Sequence, residues 1–186
     1  MSNIDEEISK TILLKTYKSI KENPLTNIGC TTGLVNYDVY NWKCTLMGPN
    51  DSQYKGGVFI LYIRFPKDFP MSGPEVIFDT PIYHMNINPK AGVEPLGHCC
   101  INTVNFWTPD TSIEDLLNSI FGLFYVANEE GAYGLDYKDE YKNRRELYDK
   151  KVAYFTKKYS IDNQVSSRDN NLTKWDFSVG DDFYQM

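Results

Sequence analysis

The side chains able to do chemistry crowd into one stretch without helical or strand period, residues 79–111. It holds both histidines of the chain, His84 and His98, and the adjacent pair Cys99-Cys100, among Pro81, Pro89, Pro95 and Pro109. An irregular run of that length inside a domain is usually either functional or disordered. A cysteine thiolate attacks carbonyls and thioesters well, so Cys99 and Cys100 are candidate nucleophiles. The competing reading is that buried cysteines pack as small hydrophobes. Gly97 just ahead of the pair and the proline-rich setting shift the balance toward chemistry. A cysteine protease needs a histidine base oriented by Asn or Asp. His98 stands too close to Cys100 in sequence to serve, which leaves His84. Structural zinc favours cysteines spaced C-x₂-C, and this pair is adjacent, so a metal centre is not expected and no cofactor is implied.

Regular elements must hold that stretch in place. Residues 2–22 predict a helix: Ser2 can cap it, Asp5 is a capping-box-like acid, and Ile4, Ile8, Ile12, Leu13, Tyr17 and Ile20 recur at helical spacing. Pro24 closes it. From Leu34 to Phe78 the period drops to two. Trp42, Cys44 and Leu46 share one strand face, and Phe59, Leu61, Ile63 and Phe65 share the next. Short turns link these strands, which predicts an antiparallel meander. Beyond the irregular stretch Ser112 caps a helix, with Asp115 three residues on. Ile113, Leu116, Leu117, Ile120, Leu123 and Phe124 give that helix a broad apolar face and a central place. A last helix is expected over 138–159, striped by Tyr141, Tyr148, Val152, Phe155 and Tyr159, with its many charges on a solvated face. The fold class is therefore α+β. Residues 1–159 form the domain, and 160–186 form a polar, acidic tail.

Composition bounds the partners. The chain has 186 residues, 41% hydrophobic, with 14 Tyr and 10 Phe, enough for one domain with its own core. The net charge is −6, which disfavours a general nucleic-acid or membrane-surface role. No apolar run approaches the ~20 residues of a membrane helix. The acidic start resembles neither a secretory signal nor a transit peptide. Four cysteines are too few for a disulfide framework, so a reducing compartment, cytoplasm or nucleus, is expected.

Several spaced signatures now align in order. They are Trp42, Met47-Gly48-Pro49, Tyr54-Lys55-Gly56-Gly57-Val58-Phe59 and Phe65-Pro66-Lys67-Asp68-Phe69-Pro70. They continue with Tyr83-His84-Met85-Asn86, Gly97-His98-Cys99-Cys100-Ile101-Asn102, Trp107-Thr108-Pro109 and Asn128. Together they resemble the ubiquitin-conjugating enzymes. The likeness runs from about Ile4 to Tyr159, most of the chain. It implies the UBC fold: an N-terminal helix, a four-stranded antiparallel meander, an active-site loop and two or more C-terminal helices. It also implies transthiolation. An activating enzyme passes ubiquitin, or a ubiquitin-like protein such as NEDD8 or SUMO, to a cysteine as a thioester, and the carrier delivers it to a substrate lysine with a ubiquitin ligase. Asn86 matches the family asparagine that stabilises the oxyanion or holds the loop that does so. His84, Asn102, Asn128 and Glu130 are implied as supporting residues. His84 is read as a loop brace rather than a proton carrier. The ligase-binding loops map onto Met71 and onto Thr108, Pro109 and Asp110.

The departures from the family pattern carry information. Met85 replaces the proline of His-Pro-Asn, and the segment 87–96 is longer than the common form. Counting on from Gly97 places the nucleophile at Cys100, and counting back from Trp107 places it at Cys99. The flanking Ile101-Asn102 favours Cys100, with Cys99 packing inward. Asn102 stands where an Asp is common, and Gly131 stands where a gating Asp or Ser is common, with Glu129 and Glu130 beside it. Asn118 occupies a usually apolar position that packs on the cargo. Asp110 replaces a small residue, which narrows the choice of ligase. On the first helix Asp5, Glu6, Glu7 and Glu22 balance Lys10, Lys15, Lys18 and Lys21, leaving the cognate activating enzyme open. The alternative is a catalytically inactive UBC-fold variant, a binding module of the ubiquitin pathway.

Overall fold

Acids at one end and a base at the other suit a helix dipole. Helix α1, Asn3–Glu22, carries Asp5 and Glu6 in its first turn and Lys21 in its last. A computed structural model describes residues 3–89, 96–100 and 107–160; the expected cap Ser2 lies outside them. Helix α1 buries Ser9, Leu13 and Ile20 and leans Ile12 and Tyr17 against the core. Ile8, expected on the same stripe, is 53% exposed. At 100° per residue it sits about 140° around the axis from Leu13, on the opposite side.

Four strands follow: β1 Thr31–Val35, β2 Asp38–Met47, β3 Val58–Arg64 and β4 Glu75–Phe78. They form one antiparallel sheet in chain order. The register sets Trp42 opposite Ile63, Cys44 opposite Leu61 and Leu46 opposite Phe59. All six side chains are fully buried, so a slip of one residue would turn the entire apolar row into water. Trp42 anchors the layer. Tyr17 and Phe65 meet its ring edge-on at 5.3 and 5.1 Å, and its indole N–H donates to Val39 O at 2.7 Å.

Three helices complete the described residues. Helix α2, Ile113–Gly122, is capped by Ser112, whose side chain accepts from the Asp115 amide. Ile113, Leu116, Leu117 and Ile120 face inward, as their spacing predicts. The single helix expected over 138–159 is two helices, α3 Leu135–Asn143 and α4 Arg145–Tyr159. Arg144 breaks them with a non-helical backbone, φ −132° and ψ 47°, and its guanidinium returns to Asp139 at 2.7 Å. The apolar stripe does not reveal the break, because both halves present their tyrosines to the same core. The solvated face expected of this segment has one exception. Glu140 is buried, accepting from the Tyr83 hydroxyl at 2.7 Å and from Lys151 at 2.7 Å.

The last described residue ties the end of α4 to the sheet. Ser160 is buried, its hydroxyl donates to Thr156 O, and its own carbonyl accepts from Val58 N at 3.4 Å. The tail beyond it lies outside the described residues. Removal of 163–186 is expected to leave the melting temperature of the domain nearly unchanged, since the apolar stripe of the last helix ends at Tyr159 and the tail sequence carries no core pattern. A truncated protein that precipitates or melts at least 10 °C lower would show that the tail packs on the domain. Among the described residues no helix is long and apolar enough to cross a membrane.

Candidate active site

The irregular stretch is held by strand-like bonding on both sides. Residues 97–100 run between β4 and residues 86–88. On one side Phe78 N donates to Gly97 O at 2.7 Å and Cys99 N to Val76 O at 2.9 Å. On the other, Gly97 N donates to Asn88 O, Asn88 N to His98 O and Cys100 N to Asn86 O, each at 2.9 Å. Extended backbone sends successive side chains to opposite faces. Cys99 points into the core and is fully buried, and burial pushes its thiol well above the usual range. Cys100 lies on the other face, half-buried. All four cysteines are free thiols.

Asn86 is the hinge pin of this arrangement and is itself fully buried. Its Nδ2 donates to Asn128 O at 2.6 Å, and its Oδ1 accepts from Asn128 N at 2.8 Å. The planar amide thus closes a two-bond ring with the backbone N–H and C=O of one residue, Asn128. Asn128 in turn caps a short 3-10 turn, Glu129–Gly131, by accepting from Glu130 N at 3.1 Å. That turn comes down on the cysteine. A Cβ on Gly131 would stand 3.1 Å from Cys100 Sγ, 3.1 Å from Asn86 Nδ2 and 3.0 Å from Cys100 O. A side chain here would be tight, and the sulfur and the amide would have to give by a few tenths of an ångström to admit it.

His84 lies beneath, 2% exposed. Its Nδ1 accepts from Asn86 N at 3.0 Å, which leaves the proton on Nε2 to donate to Leu123 O at 3.0 Å. Burial holds the imidazole neutral, its pKa pushed down to about 4. Met85 occupies the position where the resemblance expects proline, and its N–H is in use, donating to the Tyr148 hydroxyl at 3.1 Å. A proline has no such N–H. Met85 O accepts from Tyr133 N at 2.7 Å, and the Tyr133 hydroxyl meets His98 Nδ1 at 2.5 Å.

The unfolded chain takes up a proton on His84 near its ordinary pKa of 6.5, and the folded chain does so only near 4. Between those values the unfolded state binds more protons, so stability falls as pH falls through that window and levels off below it. The shift corresponds to about 3 kcal/mol. Urea midpoints measured at pH 7, 5.5 and 4.5 should fall in that order, and His84→Gln should flatten the part of the slope centred above pH 5.

The remaining expected residues fall on separate surfaces. Glu130 is exposed at the middle of the turn. Met71 is 69% exposed, and Thr108, Pro109 and Asp110 are exposed. The loops bearing these four residues are joined through Trp107, whose indole N–H donates to Pro70 O at 2.7 Å while its ring lies 5.6 Å from that of Phe69. Asn118 is exposed on α2, its Nδ2 turned back on Glu114 O at 2.9 Å. Asn102 and most of the long segment 87–96 lie outside the described residues. Tyr133 and Tyr148 had no sequence signal as site residues, since each depends on pairs more than thirty residues apart, and Gly131 was marked only by its place in the family pattern. Among the described residues no group of three or more His, Cys, Asp or Glu side chains could hold a metal ion.

A half-buried cysteine on an irregular strand, an asparagine clamped beneath it and an antiparallel meander behind them define a cysteine site on a ubiquitin-conjugating type of fold. The family model of the ubiquitin-conjugating enzymes matches residues 12–156. The chain belongs to that family.

Proposed function

We propose that the protein carries ubiquitin, or a ubiquitin-like protein, as a thioester on Cys100 and passes it to substrate lysine with a ligase. The observation that carries this reading is the alternation at the two cysteines: Cys99 is sealed in the core, and Cys100 is half-buried under Gly131 and beside Asn86. In charging, Cys100 Sγ attacks the carbonyl carbon of the thioester on the activating enzyme. A new carbon–sulfur bond forms, the old one breaks, and the departing thiolate takes the proton. In discharge a neutral lysine amine attacks the same carbonyl carbon, an amide forms, and Cys100 leaves as a thiolate and is reprotonated.

His84 has no place as a base, because it is buried, neutral and bonded through both ring nitrogens. Its role is to hold the Asn86 amide in line. Asn86 keeps one N–H on Asn128, and the second N–H of Nδ2 is assigned to the oxygen that becomes negative during discharge. Glu130, exposed in the turn, is assigned to attracting the incoming ammonium, and Met71 with Thr108-Pro109-Asp110 to offering the ligase an adaptable apolar patch with one charge. The setting that suits free thiols is the cytoplasm or nucleus.

The test is incubation with activating enzyme, ATP and ubiquitin, and in parallel with NEDD8 and SUMO and their own activating enzymes. The reading requires a band about the cargo's mass heavier that disappears with reductant. No adduct with any of the three would replace it with a non-catalytic module of the same fold.

A further inference from the structure

Helix α3 reaches the turn over the cysteine through two lysines one helical turn apart. Lys138 Nζ donates to Glu129 O at 3.0 Å, and Lys142 Nζ pairs with the Glu129 carboxylate. Glu129 opens the 3-10 turn whose last residue, Gly131, abuts Cys100 Sγ and Asn86 Nδ2. The start of the turn is therefore gripped twice, at successive residues: by Asn86 through the Asn128 backbone, and by α3 through Glu129. The two grips differ in kind. The Asn86 grip is buried and neutral. The α3 grip is charged and near the surface, with Lys138 half-buried and Lys142 exposed.

We propose that Lys138 and Lys142 are positioning residues that latch the 129–131 turn onto Cys100, with Lys138 the stronger of the two. The assignment of a discharge role rests on the thioester reading above, whereas the latch itself does not. Lys138 binds a backbone carbonyl, so its hold places the turn rather than a mobile side chain. A charge-assisted bond of this sort exceeds an exposed ion pair in worth. Loosening the turn shifts Gly131 away from the sulfur, which opens Cys100 to small reagents and at the same time spoils the alignment that discharge needs.

Two measurements separate the latch from the reading on which its function rests. The first uses the uncharged full-length protein and iodoacetamide, with Cys100 followed by peptide mass spectrometry. Lys138→Met should raise its alkylation rate about fivefold, Lys142→Met should raise it no more than about threefold, and Lys138→Arg should return it near the starting value. Lys150→Met, at an exposed lysine of α4 paired with Glu146, controls for loss of one positive charge. An alkylation rate in Lys138→Met equal to that of the starting protein overturns the latch, whether or not the protein takes any cargo. The second uses pre-charged protein in single-turnover discharge at several lysine concentrations. Lys138→Met should lower the limiting rate about tenfold, with little change in the half-saturating lysine concentration, and Lys138→Arg should restore most of it. A changed half-saturation with an unchanged limiting rate would make Lys138 part of acceptor binding and overturn the positioning role. Failure of the unaltered protein to charge would sink the thioester reading alone.

Discussion

Cys100→Ser is expected to give no reductant-sensitive adduct, while Cys99→Ser charges. The alternation of side chains on residues 97–100 puts the two sulfurs on opposite faces, one fully buried and one half-buried. A serine hydroxyl is a much poorer nucleophile than a thiolate. Cys100→Ser should therefore either remain uncharged or accumulate slowly as an oxyester that survives reductant and is cleaved by alkali. The effect on thioester formation is total, the largest expected of any substitution here. Cys99→Ser acts through stability instead. It puts a hydroxyl into a site built for a small apolar group, at a cost of about 1–3 kcal/mol. Its thioester should form at close to the usual rate at 25 °C, and its melting temperature should drop. Non-reducing gels of the two variants with activating enzyme and ATP settle the matter. Charging by Cys100→Ser and none by Cys99→Ser would reverse the assignment, and with it the registration of the whole active segment.

Asn86→Ala is the second. It removes an amide that bonds both backbone polar groups of one residue, Asn128 N at 2.8 Å and Asn128 O at 2.6 Å. Two consequences follow from one change. The Asn128 backbone is left short of partners, which costs about 1–3 kcal/mol of stability for each group kept from water. The discharge step also loses its assigned oxyanion donor, worth about a hundredfold to a thousandfold in rate. Charging should persist, because Cys100 Sγ and the surface offered to the activating enzyme are untouched. Discharge onto free lysine should slow by about a hundredfold or more, and discharge onto free cysteine, a better nucleophile, should slow less. Asn86→Asp puts the donor to the test. Its carboxylate can still accept from Asn128 N, but it has no N–H to give, its second oxygen faces Asn128 O, and it places negative charge in a fully buried site where negative charge develops. It should recover neither the lost stability nor the lost rate above neutral pH. Single-turnover discharge of pre-charged protein, alongside thermal melts, makes the comparison. An unchanged lysine rate in Asn86→Ala would leave Asn86 as a brace for the turn and nothing more.

The layout of the molecule was legible in the chain because it depends on local period. Alternation in Trp42-Lys43-Cys44-Thr45-Leu46 and in Phe59–Phe65 marks strands with one buried face, and the structure pairs those faces residue for residue. The Ser112 cap and the apolar face behind it are local as well. Periodicity misplaced Ile8, since a helical stripe of plausible spacing has no way to say which side meets the sheet. It also ran α3 and α4 together, since a backbone break at Arg144 that keeps both stripes on one side leaves the pattern intact.

At the site the division is sharper. Residue types and setting singled out Cys99, Cys100 and His84, the resemblance to the ubiquitin-conjugating enzymes added Asn86, and flanking residues chose between the cysteines. What those side chains can do was decided by contacts between positions far apart. Asn86 meets the Asn128 backbone, His84 meets Leu123 O, Met85 N meets the Tyr148 hydroxyl, and Gly131 meets the Cys100 sulfur. Each joins residues more than thirty positions apart, and such pairs have no period to betray them. Only packing could show that the imidazole is sealed and neutral, that a methionine supplies the N–H a proline would lack, and that a glycine stands where its missing side chain lets a turn rest on the cysteine. Sequence determined the parts because residue type sets chemistry and spacing sets local structure. Tertiary structure decided their roles, because burial and hydrogen-bond partners set protonation, exposure and reach.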